Sequence, residues 1–250
     1  MHQPDSDKRE WFTDWFNSPY YNLLYKHRNQ EEAHQFIDKL LNYLQPQPED
    51  CVLDLACGNG RYARYLAEKN LMVTGLDIAE ANIQYARQFE NEHLSFFQHD
   101  MRQPYSVNHF NYVFNFFTSF GYFETEREHE TALKHIARSL RQGGTLVLDF
   151  FNTDKVLQQL VEREEKEING IHFELSRLLD EFGYIVKNIQ VHHNGKHMNY
   201  RERVRAYRLE DFDRMFEKVG LRIQAVFGNY ALEAFEATNS DRLILIAGKA

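Results

Sequence analysis

Residues 51–77 constrain the fold of this chain more than any other stretch. Val52, Leu53 and Leu55 make the apolar run of a buried strand. The loop Asp54-Leu55-Ala56-Cys57-Gly58-Asn59-Gly60 follows, then a helical pattern at Ala63, Leu66 and Ala67, and a second strand ending in Leu76-Asp77. A strand, a crossover helix and a second strand place the two strands parallel. A parallel sheet has to be covered on both faces, so the rest of the chain must supply further strands and helices in alternation.

It does so for about a hundred residues. Ala33, Phe36, Ile37, Leu40, Leu41 and Leu44 recur at three and four, which predicts an amphipathic helix over 30–44 ahead of Pro46 and Pro48. Helices are predicted over 79–90 and 126–140, with strands over 94–98, 110–117 and 145–150. Arg141-Gln142-Gly143-Gly144 reads as a turn with glycine available for a left-handed cap. After Asn152 the alternation stops. A charged helix is expected over 154–168, then strands over 171–179, 184–192 and 197–207, with turns near Glu181-Phe182-Gly183 and His193-Asn194-Gly195. Hairpins in series imply a small antiparallel cap. The expected organisation is therefore an α/β, Rossmann-like core from 1–152 and 208–250 with an inserted cap at 153–207. A helix over 209–219 and strands over 221–227 and 242–247 close the core.

Composition narrows the functional classes. The chain has 250 residues and a formal net charge of -8, so it lacks the overall basic character of a nucleic-acid enzyme. Its first ten residues are polar with mixed charges, and no apolar run approaches a membrane span. The two cysteines, Cys51 and Cys57, have no disulfide or zinc-site spacing. The expectation is a cytoplasmic protein without a bound metal. Residues 11–28 carry seven aromatic rings, Trp11, Phe12, Trp15, Phe16, Tyr20, Tyr21 and Tyr25, which need a surface to cover. They form either a helix packed on the domain or a lid over a ligand.

Gly58-Asn59-Gly60-Arg61-Tyr62-Ala63 fits the dinucleotide pattern G-x-G-x-x-A, and Asp77 ends the second strand where a carboxylate suits a ribose diol. Taken alone, this leaves a nicotinamide oxidoreductase open. Asp54 alters the balance, because a carboxylate there would repel a pyrophosphate and suit a ligand ammonium. Asp100, at the end of the third strand, can accept from an adenine amino group. A nucleoside with a cationic amino-acid arm satisfies all three carboxylates better than a dinucleotide does.

With these residues in view, the chain resembles the class I methyltransferases that use S-adenosylmethionine, from about residue 20 to its end. The resemblance is carried by Val52-Leu53-Asp54-Leu55-Ala56-Cys57-Gly58-Asn59-Gly60, Gly75-Leu76-Asp77-Ile78, Gln98-His99-Asp100-Met101 and Gly143-Gly144-Thr145-Leu146-Val147-Leu148. It implies a seven-stranded sheet whose last strand is antiparallel. The backbone at Ala56 and Gly58 would contact the methionyl arm, with Ala56 standing where the family usually has glycine. Asp77 would bind the ribose, Ile78 and Met101 would flank adenine, and Asp100 would bind its amino group. The Phe116 carbonyl would accept from the ligand ammonium.

Phe117-Thr118-Ser119-Phe120-Gly121-Tyr122 and Tyr21-Asn22-Leu23-Leu24-Tyr25-Lys26-His27-Arg28 are similar to segments of N,N-dimethyltransferases of deoxyaminosugars. That resemblance implies an N-terminal lid, with Tyr21 and Arg28 as candidates for the methionyl carboxylate. Asn115-Phe116-Phe117-Thr118 has no proline, which sets the chain apart from enzymes that methylate nucleobase amines with an Asn-Pro-Pro-Tyr type of loop.

Methyl transfer is an in-line displacement in which positioning supplies most of the catalysis, so a dedicated catalytic residue is not required. Tyr122, His172, His192, His193 and His197 are candidates for a base if the acceptor is a hydroxyl. Thr118, Tyr122 and Arg203 are the candidates for acceptor binding. Arg203 belongs to a stripe with Arg201 and Arg205 for which a solvated face or a homodimer contact is favoured over recognition of an anionic substrate. The expected function is S-adenosylmethionine-dependent methyl transfer to nitrogen or oxygen of a small molecule. The competing readings are a protein or RNA methyltransferase, a nicotinamide oxidoreductase and a non-catalytic nucleoside-binding protein.

Overall fold

The computed structural model describes residues 11–25 and 30–249. Helices α1 (Trp11–Phe16), α2 (Pro19–Leu24) and α3 (Gln30–Leu44) precede β1 (Cys51–Leu55), α4 (Arg61–Ala67), β2 (Met72–Asp77), α5 (Glu80–Ala86), β3 (Leu94–Gln98), β4 (Phe110–Asn115), α6 (Glu126–Ser139) and β5 (Leu140–Phe151). After α7 (Thr153–Gln158) come β6 (Arg163–Ile168), β7 (Ile171–Leu179), β8 (Tyr184–His193) and β9 (Lys196–Arg205). The chain closes with α8 (Leu209–Lys218), β10 (Leu221–Phe227) and β11 (Arg242–Lys249).

The seven-stranded sheet has the order β10-β11-β5-β4-β1-β2-β3. Its strands are parallel except β11, which runs antiparallel to both β5 and β10. This is the expected α/β fold, and its central strands read as continuous apolar runs because both faces are covered: Leu146, Val147, Leu148 and Phe150 of β5 are all buried. Phe36, Ile37 and Leu40 of α3 cover one face with Ala63 and Leu66 of α4, while Leu133 and Ile136 of α6 cover the other with Phe212 and Phe216 of α8.

A separate antiparallel sheet, β6-β7-β8-β9, forms the insertion. Here the expectation of a helix over 154–168 is corrected: only the first part is helical, and Arg163–Ile168 is a strand paired to β7. The signal overlooked is Asn169-Gly170, with φ of 53° and 75°, a two-residue hairpin turn of the same kind as Asn194-Gly195, with φ of 50° and 72°. The run Arg-Glu-Glu-Lys-Glu is the charged edge that protects a sheet from further pairing, and it does not mark a helix face. The turn expected at Arg141-Gln142-Gly143-Gly144 lies inside β5, where Gly143 takes a φ of 72° and the register against β4 shifts.

The inner face of this second sheet, Phe173, Leu175, Ile189 and Val191, is buried against Trp15 and Leu24. The aromatic N-terminal segment and the inserted sheet thus share a core of their own, seated above the carboxyl ends of the parallel strands. Among the described residues, no helix is long and apolar enough to cross a membrane.

Candidate functional site

The crevice beyond the carboxyl ends of β1 to β4 is where open α/β sheets bind ligands. Two adjoining cavities occupy it here, sharing Tyr21, Ala56, Gly58, Asn82, Phe117 and Ser119 in their walls. The larger, about 540 Å³, extends over Asp54, Asn59, Arg61 and Phe116. The smaller, about 100 Å³, extends over Asp77, Ile78, His99, Asp100 and Met101.

The loop after β1 is shaped by its own backbone. Ala56 and Gly58 have φ of 62° and 56°, a region that disfavours a Cβ. A Cβ on Gly58 would meet nothing within 4 Å, so this glycine leaves room at the cavity wall. A Cβ on Gly60 would come within 2.5 Å of the Phe96 ring. Gly60 is therefore present for packing, and of the two glycines it is Gly58 that borders the cavities.

Asp77 fastens this loop. Its Oδ2 accepts from the Gly58 N–H (2.8 Å) and its Oδ1 from the Ala79 N–H (2.7 Å), and burial raises its pKa against those bonds. Asn82, on the buried face of α5, is a further partner of Asp77 and lines both cavities. Asp54 is 2% exposed, and its Oδ2 has no hydrogen-bond partner. Burial, with Asp77 nearby, pushes its pKa up to about 7. A buried carboxylate oxygen left unpaired beside a cavity is costly unless a donor or cation completes it. This orphaned oxygen is what the cationic amino-acid arm of S-adenosylmethionine would satisfy, so the donor set fits that cofactor.

Asp100 lines the smaller cavity, but its carboxylate is also gripped by Arg102, with Nε 3.0 Å and Nη2 2.6 Å from Oδ2. The guanidinium holds its pKa below the usual carboxylate range. Arg102 continues to Glu128 at 2.8 Å. Ile78 and Met101 face the same cavity. The Phe116 carbonyl accepts from Ser119 Oγ at 2.7 Å.

Above the cavities, Phe16 packs edge-on to Tyr21 (5.1 Å) and Tyr122 (5.5 Å), and Trp11 lies 5.6 Å from Tyr122. The expected positions of Tyr21 and Tyr122 therefore coincide with the cavity wall; Arg28 lies outside the described residues. Two of the expected residues, Thr118 and Arg203, are not in the walls of either cavity. The Thr118 hydroxyl turns away from the cavities and accepts from Arg242 Nη2 at 3.0 Å, because a left-handed backbone at Phe117 and Thr118 (φ 58° and 57°) reverses the side-chain direction. Arg203 also lies outside both cavities, bonded to Asp180 at 3.0 Å and stacked 3.4 Å over the Tyr184 ring, partners that belong to the inserted sheet and its turn.

The histidines of the insertion are not in the cavity walls either. His192 meets Glu174 at 3.0 Å and His193 lies 3.0 Å from the Tyr20 hydroxyl. Among the described residues, the histidine that does line the site is His99, whose Nε2 is 3.1 Å from the Gln103 carbonyl. Phe12 and Phe16, expected as part of an aromatic segment that could form a lid, line the smaller cavity, and Phe117 and Ser119, expected only as part of a matched segment, line both, whereas Asn82 was not singled out from the sequence. Asn82 did carry a signal, a polar residue on the apolar face of a helix beside a strand-end acid. Among the described residues, no group of three or more His, Cys, Asp or Glu side chains is arranged to hold a metal ion.

Residues 52–144 match the family model of a methyltransferase domain. YqeM of Bacillus subtilis, named for an expected methyltransferase activity, is 25% identical over 211 residues, covering 79% of this chain and 83% of that protein. The dTDP-3-amino-3,4,6-trideoxy-alpha-D-glucopyranose N,N-dimethyltransferase of Streptomyces venezuelae is 28% identical over 131 residues, covering 52% of this chain and 54% of that enzyme. Among solved structures, an S-adenosylmethionine-dependent methyltransferase from Clostridium acetobutylicum superposes with a TM-score of 0.78 at 18% identity, over 92% of this chain and 95% of its own, and so shares the fold.

Proposed function

We propose, from the premise that this chain is an S-adenosylmethionine-dependent methyltransferase of the class I fold, that it methylates an amine nitrogen of a small, sugar-like molecule. The observation that carries the reading is the pairing of an orphaned, buried Asp54 oxygen at one end of the crevice with a roof of aromatic rings at the other.

In this reading Asp54 and the Phe116 carbonyl receive the ammonium of the cofactor, and the backbone at Ala56 and Gly58 follows its methionyl arm. Asp77 holds the ribose, and Ile78, Met101 and Asp100 enclose the adenine. The cofactor, when bound, supplies an electrophilic methyl group on sulfur. The protein's own contribution is orientation and exclusion of water, with Tyr21, Phe16 and Tyr122 closing the crevice.

Nitrogen is favoured over oxygen by the chemistry of the walls. Of the bases expected from the sequence, only Tyr122 reaches the cavity and none of the cap histidines does; His99, which also lines it, is next to Asp100 on the side assigned to adenine and has its Nε2 3.1 Å from the Gln103 carbonyl. A hydroxyl acceptor would need a base close by, whereas an amine attacks once it has lost its proton to solvent. The relative from Streptomyces venezuelae, by its name, methylates an amino sugar nitrogen, which supports the same choice. The insertion at 153–207 is assigned to the acceptor side as a cap, and the two free cysteines accord with a reducing compartment such as the cytoplasm.

The test is turnover with S-adenosylmethionine and paired acceptors, an amino sugar nucleotide and its hydroxyl counterpart, followed by mass spectrometry. The expected result is mono- and dimethylation of the amine alone. Methylation confined to the hydroxyl counterpart would overturn the nitrogen assignment, and binding of NADH with no binding of S-adenosylmethionine would overturn the premise.

A further inference from the structure

Phe117 and Thr118 are two consecutive non-glycine residues in the left-handed region, with φ of 58° and 57°. Such residues persist only where their surroundings over-determine them. Here the surroundings are a buried ion pair that the sequence places far away. Asp149 of β5 is 0% exposed. Its Oδ2 accepts from the Phe117 N–H (2.9 Å) and the Tyr230 hydroxyl (3.0 Å), its Oδ1 accepts from Arg242 Nε (2.7 Å), and its backbone carbonyl accepts from the Thr118 N–H (2.9 Å). Arg242 also donates from Nη2 to the Thr118 hydroxyl at 3.0 Å. The Tyr230 ring packs 5.7 Å from Phe117 and 4.6 Å from Phe36.

None of Asp149, Arg242 and Tyr230 lines either cavity, whereas Phe117 lines both and Ser119 follows Thr118 in the same wall. Burying a charged pair has no intrinsic stability advantage over apolar residues of the same volume. What it supplies is direction, since each donor and acceptor in it has one geometry. We propose that Asp149, Arg242 and Tyr230 are positioning residues for methyl transfer, a clamp that holds the strained Phe117-Thr118 backbone so that the Phe116 carbonyl and the Phe117 ring face the cofactor. This rests on the methyltransferase reading above.

The clamp makes a demand that ordinary core packing does not. If it serves to hold left-handed backbone, glycine at position 118, which takes that φ without a penalty, should restore binding once the clamp is cut. The probe is S-adenosylhomocysteine, titrated by calorimetry into the whole chain. Arg242→Met is expected to weaken binding by about tenfold or more, the scale on which a slightly displaced binding group acts. Tyr230→Phe, which removes one hydroxyl and keeps the ring, is expected to weaken it by a smaller factor. The Arg242→Met/Thr118→Gly double variant is expected to recover most of the lost affinity.

Arg242→Met binding with wild-type affinity would overturn the clamp, and so would a loss that Thr118→Gly leaves unrelieved. Should Arg242→Met fail to fold, the pair Tyr230→Phe and Tyr230→Phe/Thr118→Gly poses the same question. Wild-type protein that does not bind S-adenosylhomocysteine would remove the methyltransferase reading and the clamp with it. A wild type that binds, beside variants that bind equally well, would remove the clamp alone.

Discussion

The floor of the site and its roof are held by opposite means. In the floor, each acid sits at or beside the end of its own strand and two of the three are tied in place: Asp77 accepts from the N–H groups of Gly58 and Ala79, and Asp100 accepts from the backbone N–H and the guanidinium of Arg102 two residues on. In the roof, Trp15 and Tyr25 of the N-terminal segment meet Glu202 and Lys187 of the inserted sheet across separations of more than 160 residues. The Trp15 Nε1–H donates to Glu202 at 2.6 Å, the Tyr25 hydroxyl donates to it at 2.7 Å, and Lys187 Nζ donates to Tyr25 at 2.8 Å. Burial raises the pKa of Tyr25, with the Glu202 charge adding to it, and burial lowers that of Lys187.

A floor made from local bonds can form with the sheet itself. A roof made from distant partners is joined by a shared apolar core and by the carboxylate of Glu202, neither of which the floor uses. This division suits an enzyme in which the cofactor pocket is set by the fold and acceptor choice is set by what covers it.

The largest effect is expected from Glu202→Ala, which strips the counter-charge from Lys187 and removes the carboxylate that accepts from both Trp15 and Tyr25. Removing one partner of a buried charged cluster costs about 3 kcal/mol or more. Hydrogen exchange should then accelerate in residues 11–25 while β1 to β4 keep their protection. Equal acceleration in both would mean that floor and roof are one cooperative unit.

A second effect belongs to the floor alone. The Asp54 pKa near 7 lies above its unfolded value, so its contribution to the stability of the ligand-free protein is present below about pH 4 and is lost as pH rises through 7. A bound ammonium favours the ionised carboxylate. Affinity for S-adenosylhomocysteine should therefore rise with pH, by up to about tenfold per pH unit below 7, with proton release seen in calorimetry. Asp54→Asn should bind more weakly and lose the pH dependence; a wild-type profile that is flat between about pH 5 and 7 would contradict the pKa shift.

The smallest effect is that of Ala56→Gly. It relieves a left-handed alanine at a cost in unfolded-chain entropy, for a net stabilisation of under about 1 kcal/mol. Thermal unfolding measures it, and a lowered midpoint would show that the alanine methyl group packs favourably enough to outweigh its backbone.

The floor was legible in the sequence because its chemistry is periodic and local. Apolar runs mark the strands, and the residue that ends each run is placed by the run itself, so Asp54, Asp77 and Asp100 could be picked out in advance. β3 and β7 follow the expected bounds for the same reason. β6 was not legible, since a charged edge strand and a solvated helix face have the same composition, and only its turn, Asn169-Gly170, distinguishes them. Thr118 could not be oriented from alternation, because left-handed backbone interrupts the period. For Arg203 the alternation held, with Tyr200 and Val204 on the other face, yet which face is buried is settled by the seat of the whole inserted sheet on Trp15 and Leu24.

The sequence by itself determined the parallel core, the loop at 54–60 and the three strand-end acids, because each depends on a few neighbouring residues and a covered sheet. Only the tertiary structure decided that Asp149 and Arg242 would reach Phe117 and Thr118, that Glu202 would join the two halves of the roof, and that Asn82 would stand beside Asp77. Those contacts are made between residues whose separation along the chain carries no periodic signal. Their positions follow from strand order and from the way two sheets and a short aromatic segment come to bury one another.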